Sequence, residues 1–267
     1  MQPSGVITIT TDFGHKGPFT AVMKGVIVGR FPEAKIIDLI HDIPAQWPPE
    51  AGFWVSRAYR YFPQGTVHLA IVDPGVGTER DILLLQHDKH FFMAPDNGLL
   101  SPILDQALDT QVFKLDLSCL QRLNIEEPSA TFHGRDIFAP VAADLASGRT
   151  TPVSVGIPTV EWIPGWIDDP RVTTGKVSGV IITVDTFGNL ISNIDRTLIS
   201  NFREPVARIA GHQIPMLTTY GRAQPGDYLA LVNSFDVIEI ARAEGNAAEG
   251  LGSDRGAPIV IVDGVSV

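Results

Sequence analysis

Three aspartates stand where an extended run gives way to a turn. Asp12 follows the β-branched stretch 6–10. Asp73 follows residues 66–72, in Val72-Asp73-Pro74-Gly75-Val76-Gly77-Thr78-Glu79-Arg80. Asp96 lies in the turn sequence Pro95-Asp96-Asn97-Gly98. Open α/β sheets place their functional loops at the carboxyl ends of strands, so these are candidate site positions, although Asp12 would also serve as a helix cap and Asp96 and Asn97 as turn formers. His133, in Ala130-Thr131-Phe132-His133-Gly134-Arg135-Asp136, adds an imidazole, and His15 and His41 compete with it from in or near other loops. Carboxylates and imidazoles are the side chains that move protons near neutral pH. In the second half, Asp185-Thr186-Phe187-Gly188-Asn189, Asn233-Ser234-Phe235 and Gly245-Asn246-Ala247-Ala248 read equally well as turns or as ligand contacts.

Several other chemistries lack their residues. Gly75-Val76-Gly77 has no third glycine and runs into the extended stretch 82–86 rather than a helix, so it is not a dinucleotide fingerprint. Methyltransferase glycine loops follow the first strand, whereas this one follows the third. There is no HExxH, no CxxC and no tight carboxylate cluster, so no metal is expected; the absence of GxSxG leaves a serine hydrolase unsupported. The single cysteine, Cys119, lies among leucines and reads as a buried structural thiol.

The elements that must carry these residues follow from periodicity. Stretches 6–10, 35–40 and 66–72 read as strands and alternate with helices that begin at Phe19 and span 51–62, which implies parallel pairing. Stretches 82–86 and 91–94 read as a hairpin, and 99–108 and 135–146 as helices. Prolines at 152, 158, 164 and 170 punctuate an aperiodic stretch, and dense strand signals follow at 179–184, 207–210, 228–232, 237–241 and 258–262. The reading is an α/β domain over 1–150 with a mostly parallel sheet, a linker over 151–175, and a smaller all-β barrel or sandwich over 176–267.

The chain has 267 residues, 44% hydrophobic and 19% charged, with a formal net charge of -10. Such a surface repels nucleic acid and anionic lipid. No apolar run approaches a membrane span of ~20 residues, the first residues carry no signal-peptide pattern, and one cysteine suits a reducing compartment, so a cytoplasmic protein is expected.

Taken together, Thr10 to Gly14, Val72 to Arg80, Ala94 to Gly98, Thr131 to Asp136, Asp185 to Asn189, Asn233 to Phe235 and Gly245 to Ala248 resemble the SAM hydroxide adenosyltransferase family, relatives of the enzymes that fluorinate or chlorinate S-adenosyl-L-methionine (SAM). The resemblance implies hydrolysis of SAM to adenosine and L-methionine, SAM being substrate and no cofactor being required. It implies that Asp73, Arg80 and His133 hold the attacking water and that Asp12 binds the ribose hydroxyls. It places Asp185 on the methionine ammonium, Asn189 on the adenine edge, Ser234 on the methionine carboxylate, and the backbone of Ala247 and Ala248 on adenine. Phe187 and Trp47 match aromatic positions lining the pocket. It also implies a homotrimer with sites shared between subunits.

The residue types suit that chemistry. The sulfonium is a good leaving group, so the difficulty lies in the nucleophile. A carboxylate and an imidazole can orient water and take its proton, and an arginine can stabilise developing hydroxide. Whether Asp73 or His133 takes the proton is open at this level. Two alternatives are halogenation on the same fold and SAM or adenosine binding without turnover. Asp73 beside a halide would repel it, and Gly134 stands where the resemblance places a fluoride-holding serine in fluorinating enzymes.

Overall fold

The computed structural model describes residues 1–105 and 110–264, and the chain divides into two compact units, Met1–Trp166 and Ile167–Val267. In the first unit, β1 (Val6–Thr11), α1 (Phe19–Arg30), β2 (Lys35–Ile40), α2 (Pro48–Ala58) and β3 (Val67–Ile71) alternate as the periodicity indicates. β4 (Ile82–His87) and β5 (His90–Pro95) form a hairpin, followed by the short α3 (Ser101–Leu104) and β6 (Gln111–Leu115). The helix expected over 99–108 is described only as α3, since residues 106–109 lie outside the described residues. α4 (Ala139–Ser147), α5 (Pro152–Val155) and β7 (Gly156–Pro158) complete the unit.

The strand order is β2-β1-β3-β5-β4-β6-β7. Parallel pairing joins the central strands β2, β1, β3 and β5, as expected, and antiparallel pairing adds β4, β6 and β7, so the sheet as a whole is mixed. The local cause is the two-residue connection Asp88-Lys89, both at positive φ, which folds β4 directly back on β5. Side chains alternate across the sheet. Ile7, Ile9, Leu69 and Ile71 pack with Met23 and Ile27 of α1 and the inner face of α4. Ala70, Val72, Leu83 and Leu85 pack with Ala51 and Val55 of α2. Pro48 opens α2, where a missing N–H costs nothing.

The second unit begins with β8 (Arg171–Thr173), β9 (Lys176–Val184), β10 (Leu190–Asp195), β11 (Pro205–Ile209) and β12 (His212–Pro215). It continues through β13 (Tyr228–Val232), β14 (Val237–Arg242), the single-turn helix α6 (Ala247–Leu251) and β15 (Pro258–Asp263). The order β12-β11-β15-β9-β10-β14-β13, with a bridge from Met216 to Ala230, curls this sheet into a nearly closed barrel. Val177, Ile181, Leu190, Ile238, Ile240 and Ile259 fill its interior. Residues 151–175, read as a linker, contain α5, β7 and β8.

The first unit also buries a histidine chain under its sheet. His68 Nδ1 lies 2.8 Å from Thr8 Oγ1, and His68 Nε2 lies 3.1 Å from His90 Nδ1. Burial, then the neighbouring His90, pushes the His68 imidazole down to about 3, from an ordinary value of 6.5. Between those two values an unfolded chain binds a proton that the folded chain refuses, so stability falls as pH drops through that window. Urea unfolding at pH 6.5 and pH 5 checks this: His68→Gln should lose roughly 2 kcal/mol less than the unaltered chain over that interval.

Candidate active site

β1 lies between β2 and β3, with α1 and α2 on opposite faces of the sheet. The connections leaving β1 and β3 therefore part, and a crevice opens beyond their carboxyl ends. Asp12 and Asp73 are the residues just past those ends. Both line a cavity of about 250 Å³ with His133, Val76, Gly134 and the rings of Phe13, Phe19 and Phe132. The three rings meet edge to face or tilted at centroid distances of 5.6–6.0 Å. Phe19 and Val22 are exposed on α1, whereas Met23 and Ile27 are buried, so only part of that helix's apolar stripe faces the core.

Arg80 connects the polar groups. Its Nε lies 2.9 and 3.1 Å from the two oxygens of Asp73, and Nη2 bonds Asp73 as well. The same Nη2 lies 3.1 Å from His133 Nδ1. Both side chains of the ion pair are almost wholly buried, and the guanidinium stacks 5.6 Å over the Phe138 ring. Arginine only donates, so His133 Nδ1 must accept. The ring is then neutral, and its one proton sits on Nε2. Burial, then the positive charge of Arg80, lowers the His133 imidazole below its ordinary 6.5 and favours that neutral form.

Backbone geometry brings these groups together. Gly77 sits at φ +79°, and a Cβ there would lie 2.2 Å from the Ala130 carbonyl oxygen. The 73–80 loop therefore presses against the segment leading to His133. A π-type turn, Gly134–Phe138, begins right after the histidine and runs into α4. A Cβ on Gly134 would lie 3.2 Å from both Met23 Sδ and the Phe132 ring, so a side chain there requires those neighbours to shift by a few tenths of an ångström. The Asn97 amide donates to the Val72 carbonyl at 2.8 Å, pinning the end of β3 next to Asp73, a role that its turn sequence does not announce. Asp96 instead accepts from the Ile163 backbone at 2.9 Å. The Asp12 carboxylate accepts from Gln46 N at 2.9 Å, and burial raises its carboxyl despite that bond. Trp47 packs on Trp166 at 5.9 Å and is not in the cavity wall.

The second unit gathers its own candidates. Asp185 closes the β9–β10 turn, accepting from Phe187 N, Asn189 N and Asn189 Nδ2, each at 2.9 Å. Ala248 N donates to Gly188 O at 2.9 Å, which seats α6 on that turn and occupies one of the two backbone groups assigned to adenine. Asn189 and Ala247 are buried, while Phe187 is 77% exposed. Ser234 is exposed in a turn shaped by Asn233, whose Oδ1 accepts from Phe235 N. The Asn233 amide also donates to buried Glu239, which Tyr220 holds by a 2.6 Å hydrogen bond. Glu239 and Tyr220 escape a reading of the sequence, because they belong to no turn motif.

Comparison with known proteins fits this arrangement. Residues 7–156 match the SAM hydroxide adenosyltransferase N-terminal domain, and residues 179–260 match the C-terminal domain of the same family. The chain belongs to the SAM hydroxide adenosyltransferase family. It is 35% identical to the (R)-S-adenosyl-L-methionine hydrolase of Thermus thermophilus, over 93% of this chain and 96% of that one. A fluorinase of Actinoplanes sp. is 25% identical, with 89% of this chain and 90% of that one covered. A crystal structure of an uncharacterized conserved protein from Thermotoga maritima superposes with a TM-score of 0.87 at 32% identity, covering 96% and 99% of the two chains.

Because Gly77 has both a positive φ and no room for a methyl group, Gly77→Ala should destabilise the protein by about 1–3 kcal/mol. Denaturant unfolding measures this, and Gly211→Ala, also at positive φ but with nothing near its Cβ, isolates the packing contribution.

Proposed function

We propose that this chain hydrolyses SAM to adenosine and L-methionine by in-line attack of water on the ribose 5′ carbon. The observation that carries the reading is the Asp73–Arg80–His133 network facing a cavity shared with Asp12. The support from relatives is the name of the Thermus thermophilus hydrolase and the family match.

In this reading the C5′–O bond forms as the C5′–S bond breaks, and the bonding pair goes to sulfur, leaving a neutral thioether. No acid is needed at the leaving group. The His133 lone pair on Nδ1 is committed to Arg80, so its Nε2–H is a donor that orients the water oxygen. Asp73 is then the proton acceptor. Its pairing with Arg80 makes it a weak base, but a protonated alcohol is a far stronger acid than any carboxylic acid, so a weak base suffices once the C–O bond has formed. Arg80 fixes the orientation of the Asp73 carboxylate that receives this proton. The rings of Phe13, Phe19 and Phe132 give the cavity an apolar wall beside the bound water. Asp12 holds the ribose hydroxyls. Asp185, Asn189, Ser234 and the backbone of Ala247 and Ala248 are assigned to the methionine and adenine ends, with Phe187 and Trp47 as aromatic contacts.

Halogenation is the alternative with named relatives, the fluorinases. Two features argue against it here. An anion beside Asp73 would be repelled in a partly buried site, and Gly134 lacks the hydroxyl that would hold fluoride, which bears on fluorination alone. The proposal includes a homotrimer as the working form; a fully active monomer by light scattering would contradict that part.

Incubation with SAM in labelled water, with and without chloride, should give adenosine labelled at the 5′ oxygen at every chloride concentration. Unlabelled adenosine, or 5′-chloro-5′-deoxyadenosine as the main product, would overturn the assignment. Asp73→Asn, Arg80→Gln and His133→Phe should each lower kcat roughly 10²–10³-fold while changing SAM affinity far less. Because the neutral His133 ring is the active form and its imidazole is lowered, kcat/KM should hold steady as pH falls through 6.5 and decline only below it; a rate profile from pH 5 to 9 measures this.

A further inference from the structure

His41 enters no step of the proposed reaction, yet it is among the most connected side chains near the cavity. It is 3% exposed. Its Nδ1 lies 2.8 Å from Thr11 Oγ1, and its Nε2 lies 2.9 Å from Asp38 Oδ1. Asp38 Oδ2 in turn accepts from Lys24 Nζ at 2.6 Å. Burial alone would raise the Asp38 carboxyl, but the hydrogen bonds from Lys24 and His41 outweigh it and hold it below the usual carboxylate range. Ionised Asp38 only accepts, so His41 Nε2 donates to it. In the neutral ring, Nδ1 then accepts from the Thr11 hydroxyl, whose oxygen accepts from Phe13 N at 3.3 Å. One continuous chain of hydrogen bonds therefore runs from Lys24 on α1, through Asp38 on β2, to the residues on either side of Asp12.

An aspartate, a histidine and a threonine in line also form the pattern that activates a nucleophile. Thr11 is fully buried, so its hydroxyl cannot meet a substrate, and the nucleophile reading fails on access. What the chain does reach is the backbone around Asp12. The segment from His41 to Gln46 grips residues 11–14 at three points: His41 O accepts from Gly14 N at 2.8 Å, His41 Nδ1 meets Thr11 Oγ1, and Gln46 N donates to the Asp12 carboxylate at 2.9 Å. Gln46 adopts φ +60°, an uncommon conformation for a side-chain-bearing residue, to make the last of these.

We propose that His41 is a positioning residue that fixes the Asp12 carboxylate for recognition of a vicinal ribose diol. This rests on the reading of Asp12 as the ribose contact. A diol presents two donors with fixed separation, so a carboxylate must be held in one orientation to accept from both. The Asp12 carboxylate accepts from Gln46 N, and its position also depends on the 11–14 backbone that His41 and Thr11 fasten.

The test compares inhibition of the intact enzyme by adenosine and by 2′-deoxyadenosine, which differ by one of the two hydroxyls. The unaltered protein should prefer adenosine by roughly tenfold or more, the worth of a hydrogen bond to a charged group. His41→Phe, which keeps the ring and removes both bonds, should bring the two inhibition constants to within about two- to threefold of each other. Thr11→Val, nearly isosteric on a buried strand, should act in the same direction and stands in should His41→Phe fold poorly. His41→Gln, which can donate to Asp38 and accept from Thr11, should restore part of the preference. On an Asp12→Asn background, His41→Phe should change the ratio no further. Equal weakening of both nucleosides with the ratio intact, or lowered thermal stability alone, would overturn the inference and leave the proposed function standing. An unaltered protein that binds neither nucleoside would remove the proposed function and this inference with it.

Discussion

A guanidinium donates hydrogen bonds and never accepts them, and Arg80 spends that one-sidedness on two partners at once. Towards Asp73 it offers Nε and Nη2, neutralising a carboxylate that is almost wholly buried. Towards His133 it offers Nη2, which settles which ring nitrogen carries the proton. In the proposed reaction the two residues that could compete for the proton of a bound water therefore take different roles, His133 as donor and Asp73 as acceptor. A lysine could not do this, because a single ammonium nitrogen cannot address a carboxylate bidentately and an imidazole from a fixed plane. The rest of the first unit serves to deliver those three side chains to one place: strand order puts Asp73 beside Asp12, Asn97 pins the strand end, and Gly77 lets the loop close on the segment before His133.

The same principle recurs around Asp12. Lys24, Asp38, His41 and Thr11 form a chain in which each charge or lone pair is matched, and its histidine and threonine are too buried to react. Asp73 with His133 lines the cavity, whereas Asp38 with His41 does not. Burial separates them: His133 faces the cavity, while His41 lies beneath the loop that shapes it.

Much of this is legible in the sequence because it is local. The β-branched run before Asp12, the alternating strand and helix signals, and the turn sequence at 95–98 each depend on neighbouring residues, and each corresponds to an observed element or turn. The β4–β5 hairpin is legible too, because its two extended stretches are close in sequence, but the antiparallel addition of β6 and β7 beyond β4 rests on pairing that no local pattern records. The π-type turn after His133 likewise reads as ordinary helix, since its spacing differs by one residue. Long-range contacts are the least legible. Thr11 and His41 are 30 residues apart, Arg80 and His133 53 apart, and nothing in either segment names the other. His41 can be noticed only as a histidine near a loop. Its partners, and Glu239 with Tyr220 in the second unit, emerge once the sheets are built.

The Arg80 contact fixes His133 as a neutral ring protonated on Nε2. Nitrogen-15 NMR of the histidine rings in the intact protein at pH 7.5 measures this directly. The Arg80 contact requires the His133 Nδ1 resonance at the shift of an unprotonated nitrogen and Nε2 at that of a protonated one, unchanged as pH falls through 6.5. A His133 ring protonated on both nitrogens at that pH, or carrying its single proton on Nδ1, would contradict it.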